Sequence, residues 1–303
     1  MTTTISCTEL HHQLDAGASL LVIDILPPEE YCASHLPGAV NACVYEMAFL
    51  DRMAELAPDR SVPLILYDAT GTTRAAATAR EKLLASGYRD VRILEGGLSG
   101  WCTASFPLEQ TGDIQPEPQI LDGTYLIDPS VSVLEWTGRN INNRHYGRIP
   151  VKGGTVEFTG GDLREGGVTL DMSGITNQDL QDETYRQMLV NHLLSADFFD
   201  VARYPLATMA VNGWEPIPAA SPGTPDHLLR GELTIKGITR PITVPVTVIP
   251  QGDGGIKAQA AFAIDRTDWN ITYGSGRLFE KLGMHLVNDR IDIELFFVAR
   301  LAG

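Results

Sequence analysis

Residues Pro63–Gly87 read "PLILYDATGTTRAAATAREKLLASG". The first five residues form an unbroken apolar run, short enough for a strand buried on both faces. A polar loop with a glycine at Gly71 follows, and then a stretch rich in helix formers, closed by Gly87 as a C-terminal cap. Strand, tight loop and helix in this order place backbone N–H groups around one spot and attract an anion. The first loop position, where a nucleophile would sit, holds Asp68. A permanent negative charge thus stands where an anion should bind.

Working outward, "LLVIDI" (Leu20–Ile25) and "VRIL" (Val91–Leu94) are further short apolar runs separated by helical stretches. Continuous apolar strands alternating with helices predict a parallel sheet covered on both faces over residues 1–108. Residues 109–121, "EQTGDIQPEPQIL", carry two prolines and a glycine without helical period, and read as a linker. From residue 122 onward the period changes to two. Val168, Leu170 and Met172 share one face, as do Ile242, Val244, Val246 and Val248. Ile256, Ala258, Ala260, Phe262 and Ile264 repeat the pattern, and so do Ile291, Ile293, Leu295 and Phe297. Eight or nine such strands, interrupted by one helix around Glu183–Ala196, predict an antiparallel barrel or sandwich over residues 122–303.

The 303 residues suffice for two domains, and 44% hydrophobic with 20% charged residues is the composition of a folded chain. The formal charge is -15, with 7 Lys+Arg against 14 Asp+Glu in residues 1–110 and 16 against 24 beyond. Two acidic halves argue against nucleic acid or an anionic membrane surface as the main partner. Cys7, Cys32, Cys43 and Cys102 form no CxxC pair and read as reduced thiols. The seven histidines, His11, His12, His35, His145, His192, His227 and His285, show no ligand spacing, so no metal is expected. No run approaches the ~20 apolar residues of a spanning helix and no signal-like segment is visible, so a cytoplasmic location is expected.

The first half resembles the rhodanese family. "VIDILPPEEYCASHLPGAVNA" is similar to its opening motif through Asp24, Glu30, His35, Pro37, Gly38, Ala39 and Asn41, and "LEGGLSGW" (Leu94–Trp101) to its closing motif. The family's catalytic loop runs Cys-x-x-Gly-x-Arg. In that register Asp68 stands at the Cys position, Gly71 fits, Thr73 stands at the Arg position and Arg74 follows one place later. Leu26 stands at the Arg of the opening motif. A thiolate in a ring of N–H donors can carry a persulfide sulfur; a carboxylate cannot, but it can occupy the anion site itself. The resemblance therefore implies a degenerate loop without a catalytic residue. An active sulfurtransferase or other anion-handling enzyme on this half, and a protein-interaction scaffold, are the alternatives.

The second half resembles the YceI-like, lipocalin-shaped family of polyisoprenoid-binding proteins. The motifs are "YLIDPSVSVLEWTGR" (Tyr125–Arg139), "HYG" (His145–Gly147), "HLLSADFFDVARYPLATM" (His192–Met209), "GELTIKGITRPI" (Gly231–Ile242), "IDRTDWNITYG" (Ile264–Gly274) and "VNDRIDIELFFVA" (Val287–Ala299). The resemblance implies an eight-stranded antiparallel barrel with an apolar tunnel for a polyisoprenoid, an isoprenoid quinone or a lipid, and no cofactor. Candidate lining residues are Trp136, Phe158, Leu170, Met172, Met209, Phe262, Trp269 and Tyr273, with Phe198 and Phe199 anchoring the helix to the barrel. Family members are often exported. The expected partners are a long apolar small molecule and, through the barrel domain, a second copy of the chain. The expected function is a carrier for that molecule, with the rhodanese-like module in a regulatory or partner-binding role.

Overall fold

The computed structural model describes residues 3–112 and 118–303. The chain divides into two compact units, residues 1–116 and 117–303.

The first unit runs β1 (Thr4–Ile5), α1 (Cys7–Asp15), β2 (Leu21–Asp24), α2 (Pro28–Ala33), β3 (Val40–Asn41), α3 (Phe49–Leu56), β4 (Leu64–Tyr67), α4 (Ala75–Ala85), β5 (Val91–Leu94) and α5 (Gly97–Thr103). Its five strands are parallel, in the order β1-β5-β4-β2-β3. The apolar run that opens "PLILYDATG" is the central strand β4, and all four of its residues are fully buried. Leu64 and Leu66 pack on one face with Ile23, Phe49, Met53 and Leu83. Ile65 and Tyr67 pack on the other with Ile5, Leu10, Val22 and Trp101. Both faces are covered, so strict polar alternation is absent. Helix α4 ends as its sequence predicts: Gly87 adopts φ +95 and its N–H donates to the Leu84 carbonyl.

The stretch read as a linker from residue 109 is still bonded to the first unit at its start. Glu109 pairs with His35 in a short antiparallel bridge, and the Thr111 N–H donates to the Cys32 carbonyl. Those backbone bonds tie residues 109–111 to the first unit. Residues 113–117 of that stretch lie outside the described residues.

The second unit comprises β6 (Gly123–Ile127), β7 (Val133–Arg139), β8 (Arg144–Ile149), β9 (Val151–Thr159), β10 (Asp162–Asp171), α6 (Glu183–Leu194), β11 (Leu206–Pro216), β12 (His227–Ile235), β13 (Ile238–Pro250), β14 (Gly255–Asp265) and β15 (Arg290–Leu301). The ten strand segments make eight barrel staves. β6 and β7 both pair with β15 and form one stave interrupted at residues 128–132; β8 and β9 form another, interrupted at Pro150. Proline has no N–H to give the ladder, which explains the second break. Neighbouring staves are antiparallel throughout, and pairing of β14 with β15 closes the barrel. The period-two faces read in the sequence point inward, with Leu170, Val244, Val246, Ile256 and Ile293 buried.

One glycine fixes the close approach of a neighbouring loop. A Cβ at Gly147 would overlap the Thr176 carbonyl oxygen, which accepts a hydrogen bond from the Trp136 indole N–H at 3.2 Å. Gly147→Ala is expected to displace that loop and lower the stability of the barrel by about 2–3 kcal/mol. Urea unfolding followed by barrel tryptophan fluorescence measures this.

Candidate functional site

The barrel interior holds a cavity of about 310 Å3, at the small end for a drug-sized ligand. Its walls come from the inward positions of β10, β11, β14 and β15, among them Val168, Leu170, Ala207, Met209, Phe262, Ile264, Ile293 and Leu295. Helix α6 covers one side with Leu189, His192 and Leu193, and Phe198 and Phe199 of the following turn complete that wall. A second apolar chamber of about 90 Å3 adjoins it, and Val168, Met209, Leu295 and Phe297 line both.

Of the aromatic and aliphatic residues singled out in the sequence, Trp136, Leu170, Met172, Met209, Phe262 and Tyr273 line the larger chamber. Phe158 lines the smaller one, edge-on to Tyr125 and Trp214. Trp269 does not line either chamber. It sits in a 3-10 turn after β14, buried, with its indole N–H donating to the Leu233 carbonyl at 3.0 Å. An indole whose N–H has a backbone partner is packing material.

One end of the larger chamber is polar, which the residue-by-residue reading missed. Arg139, Asn140, His145, His192, Arg266 and His285 contribute to the wall there. They come from the end of β7, the start of β8, α6 and two 3-10 turns between β14 and β15, so spacing does not reveal them; His145 and His192 do fall inside the motifs of the second half. The His145 Nδ1 lies 2.8 Å from Asp179 Oδ2, and the Tyr146 N–H donates to Asp179 Oδ1. Burial works to raise the Asp179 carboxyl, but hydrogen bonds from Tyr146, His145 and Asn177 outweigh it and hold the group below its ordinary range. His192 meets Tyr273 and Phe198 edge-to-face, with ring centroids 4.5 and 4.9 Å away.

A buried arginine holds this end in place. Arg266 donates to the carbonyls of Asn288, Ile271 and Val287 and to Asp289 Oδ1. Arg277 then clamps Asp289 Oδ2 at 2.9 Å and Asp265 Oδ2 at 2.6 Å. Burial lowers the Arg266 guanidinium, and the charges of Asp289 and Asp265 oppose this. A charge this buried is tolerated because four oxygens satisfy it. The network fixes the segment that carries Tyr273, Met284 and His285 into the wall.

In the first unit, Asp68 follows β4 and is buried. Its Oδ1 accepts from the Gly71 N–H at 2.5 Å and the Thr70 N–H at 3.2 Å; its Oδ2 accepts from the Thr73 hydroxyl at 2.6 Å. Gly71 adopts φ +69, and a Cβ there would run into the Gly96 and Gly97 backbone. The Leu98 N–H donates to the Asp68 carbonyl, which docks the loop against α5. Arg74 is exposed at the start of α4. Asp24, at the end of β2, is fully buried; its Oδ1 accepts from the Leu26 N–H and its Oδ2 has no hydrogen-bond partner among the described residues. Burial pushes its carboxyl up, and the polar groups around it, Tyr67, the Leu26 N–H, His35 and Asn41, pull it down without offsetting that.

Residues 125–299, more than half of the chain, match the YceI-like domain. The chain belongs to the YceI-like family. Residues 6–104 match the rhodanese-like domain, so a YceI-like barrel is joined here to a rhodanese-like unit. Protein YceI of Escherichia coli is 30% identical over 138 residues, 44% of this chain and 69% of that one. The HTH-type transcriptional regulator Rv0324 of Mycobacterium tuberculosis is 35% identical over 106 residues, 35% of this chain and only 44% of that regulator. A solved polyisoprenoid binding domain from Saccharophagus degradans, implicated in plant cell wall breakdown, is 15% identical with a TM-score of 0.45, covering 60% of this chain and 100% of that one. No helix among the described residues is long and apolar enough to cross a membrane.

The orphaned carboxyl gives the rhodanese-like unit a pH signature. Asp24 holds its proton more tightly folded than unfolded, so stability falls as pH rises from the unfolded value of 3.8 through the raised folded value. Asp24→Asn keeps the acceptor for Leu26 and removes the buried charge. It is expected to stabilise this unit at pH 7, with the gain shrinking as pH falls towards the ordinary carboxyl value. Calorimetric melting of the variant and the parent chain across this pH range checks the sign.

Proposed function

We propose that the barrel binds one long apolar molecule of the isoprenoid class, such as a polyisoprenoid, an isoprenoid quinone or a lipid of similar shape. The tail would lie in the two chambers and a polar head among Arg139, His145, His192 and His285. The observation that carries this reading is the pair of adjoining chambers inside the barrel, aliphatic and aromatic in lining, with polar side chains in the wall of the larger one. Burying a few hundred Å2 of tail contributes several kcal/mol at about 25 cal/mol per Å2, without any catalyst. Membership of the YceI-like family supports the isoprenoid assignment, which is what the sequence resemblance implies.

The rhodanese-like unit takes a non-catalytic part in this reading. Two loop amides and the Thr73 hydroxyl are already bound to Asp68, and no thiol stands there to carry sulfur. The loop has become self-capped: the carboxylate satisfies the donors that would otherwise cradle an anion.

Two experiments test these roles. Native mass spectrometry of the gently purified chain, followed by organic extraction, should reveal a bound apolar molecule. Met209→Trp, in the wall shared by both chambers, should reduce the retained ligand at least about tenfold, while Glu294→Ala on the outer face of β15 should leave it unchanged. A chain that copurifies with nothing and takes up no added isoprenoid quinone would refute the carrier role. In a thiosulfate-to-cyanide assay no turnover is expected, and Asp68→Cys alone should not restore full transfer, because Thr73 still stands where the family has arginine. Turnover by the natural chain that Asp68→Ala abolishes would overturn the non-catalytic assignment.

A further inference from the structure

Most large apolar side chains of the barrel are buried, yet several surround the polar mouth of the cavity in full view of solvent. Ile141 in the β7–β8 loop, Met188 on α6, and Leu278, Phe279 and Met284 in the segment between β14 and β15 are between 49% and 69% exposed. The two loops touch: the Asn142 side-chain N–H donates to the Met284 sulfur, and Asn140 bridges to Val287. Met188 is one residue from Leu189 and four from His192, both in the cavity wall. The exposed residues therefore sit on the same elements that supply the polar end of the cavity wall. Met284 also lines the cavity, but Ile141, Met188, Leu278 and Phe279 do not, and the packing of the barrel does not require them to be apolar.

Charge singles out the same face. The chain carries a formal charge of -15. Around the mouth, Arg139, Arg144, Arg277 and Lys281 stand against Glu280 and the carboxylates of Asp265, Asp289 and Asp292 that pair with Arg277 and Arg139. The rim is locally neutral on a strongly acidic protein. A face of mixed charge is repelled by an anionic lipid surface less than a uniformly acidic one would be.

We infer that the rim is a docking surface for a lipid bilayer, through which the apolar ligand passes between membrane and barrel without crossing water. The inference rests on the apolar-ligand reading above. A molecule that fills such a cavity partitions into bilayers, so its source is an apolar phase. Five side chains expose on the order of a few hundred Å2, well short of the roughly 1,200 Å2 that a stable protein interface buries. A second copy of the chain seated on the rim would also close the opening. Shallow, reversible insertion of loop side chains fits both the small area and the need to release.

Flotation tests the rim without any ligand. With ligand-free dioleoylphosphatidylcholine vesicles at millimolar lipid, the full chain should float, and the Ile141→Ser, Leu278→Ser, Phe279→Ser triple variant should lose at least about tenfold of that bound fraction. None of the three substituted residues lines the cavity. With ubiquinone-10 in the vesicles, the loading rate should rise in proportion to vesicle concentration for the natural chain and fall at least about tenfold in the variant. Quinone presented in detergent should bind both equally. A natural chain that stays with the soluble fraction, a variant that floats as well as its parent, or sedimentation showing a stable dimer that the triple variant dissolves would each overturn the bilayer assignment. Absence of quinone binding even in detergent would instead strike the carrier reading, with the ligand-free flotation still deciding the rim.

Discussion

Closure of the barrel by β14 and β15 is the constraint on which the second unit depends. Their antiparallel register runs unbroken from Gly255 opposite Arg300 to Asp265 opposite Arg290. Without it, a sheet of this size would expose two edges of unpaired N–H and C=O groups. Its inner face would also be open to water, and the alternating Ile, Val and Phe positions would line a surface and not a cavity. Closure turns a period-two pattern into an enclosed apolar volume. The same pairing sets where the 266–289 segment leaves and re-enters the wall, and hence where the mouth lies.

At that mouth the energetic logic changes from apolar burial to polar satisfaction. Arg266 is buried with four acceptors, three of them backbone carbonyls from the segment it holds. The arginine is thus less an ion-pair partner than a scaffold for irregular chain, supplying donors where no ladder exists. Asp179 does the complementary work for the β7–β8 side, collecting donors from Tyr146, His145 and Asn177. In the first unit the same principle is applied once and neglected once. Asp68 gathers three donors and closes its loop; Asp24 keeps one oxygen without a partner among the described residues.

Much of this was legible in the sequence, for reasons that differ between the halves. The β4 run and its glycine-containing loop identify the parallel sheet because a strand covered on both faces has no polar alternation to confuse. The inward faces of β10, β13, β14 and β15 follow from period two alone. The count of staves was ambiguous between eight and nine because residues 128–132 and Pro150 cut two of them. Trp269 was misplaced because an aromatic residue beside a strand end looks the same in sequence whether it faces a cavity or plugs a turn; only its indole hydrogen bond to Leu233 decides. The polar mouth is not legible in the sequence because Arg139 at the end of β7, His192 on α6 and His285 in a 3-10 turn meet only in the folded chain.

The position of β15 has a consequence for how the protein comes into being. It pairs with β6 and β7 as well as β14, so Ala299 lies beside Ile127 and Leu295 beside Leu134. These partners are separated by more than half the chain. During synthesis the rhodanese-like unit, whose strands find neighbours within the first hundred or so residues, can complete its sheet early. The barrel cannot: its first staves emerge with their greasy faces unmated and wait for a strand translated last among its partners. For that interval the nascent barrel has both edges open and its future cavity wetted. Chaperone demand should therefore fall on this half, and a ribosome pause upstream of residue 290 would lengthen the exposure.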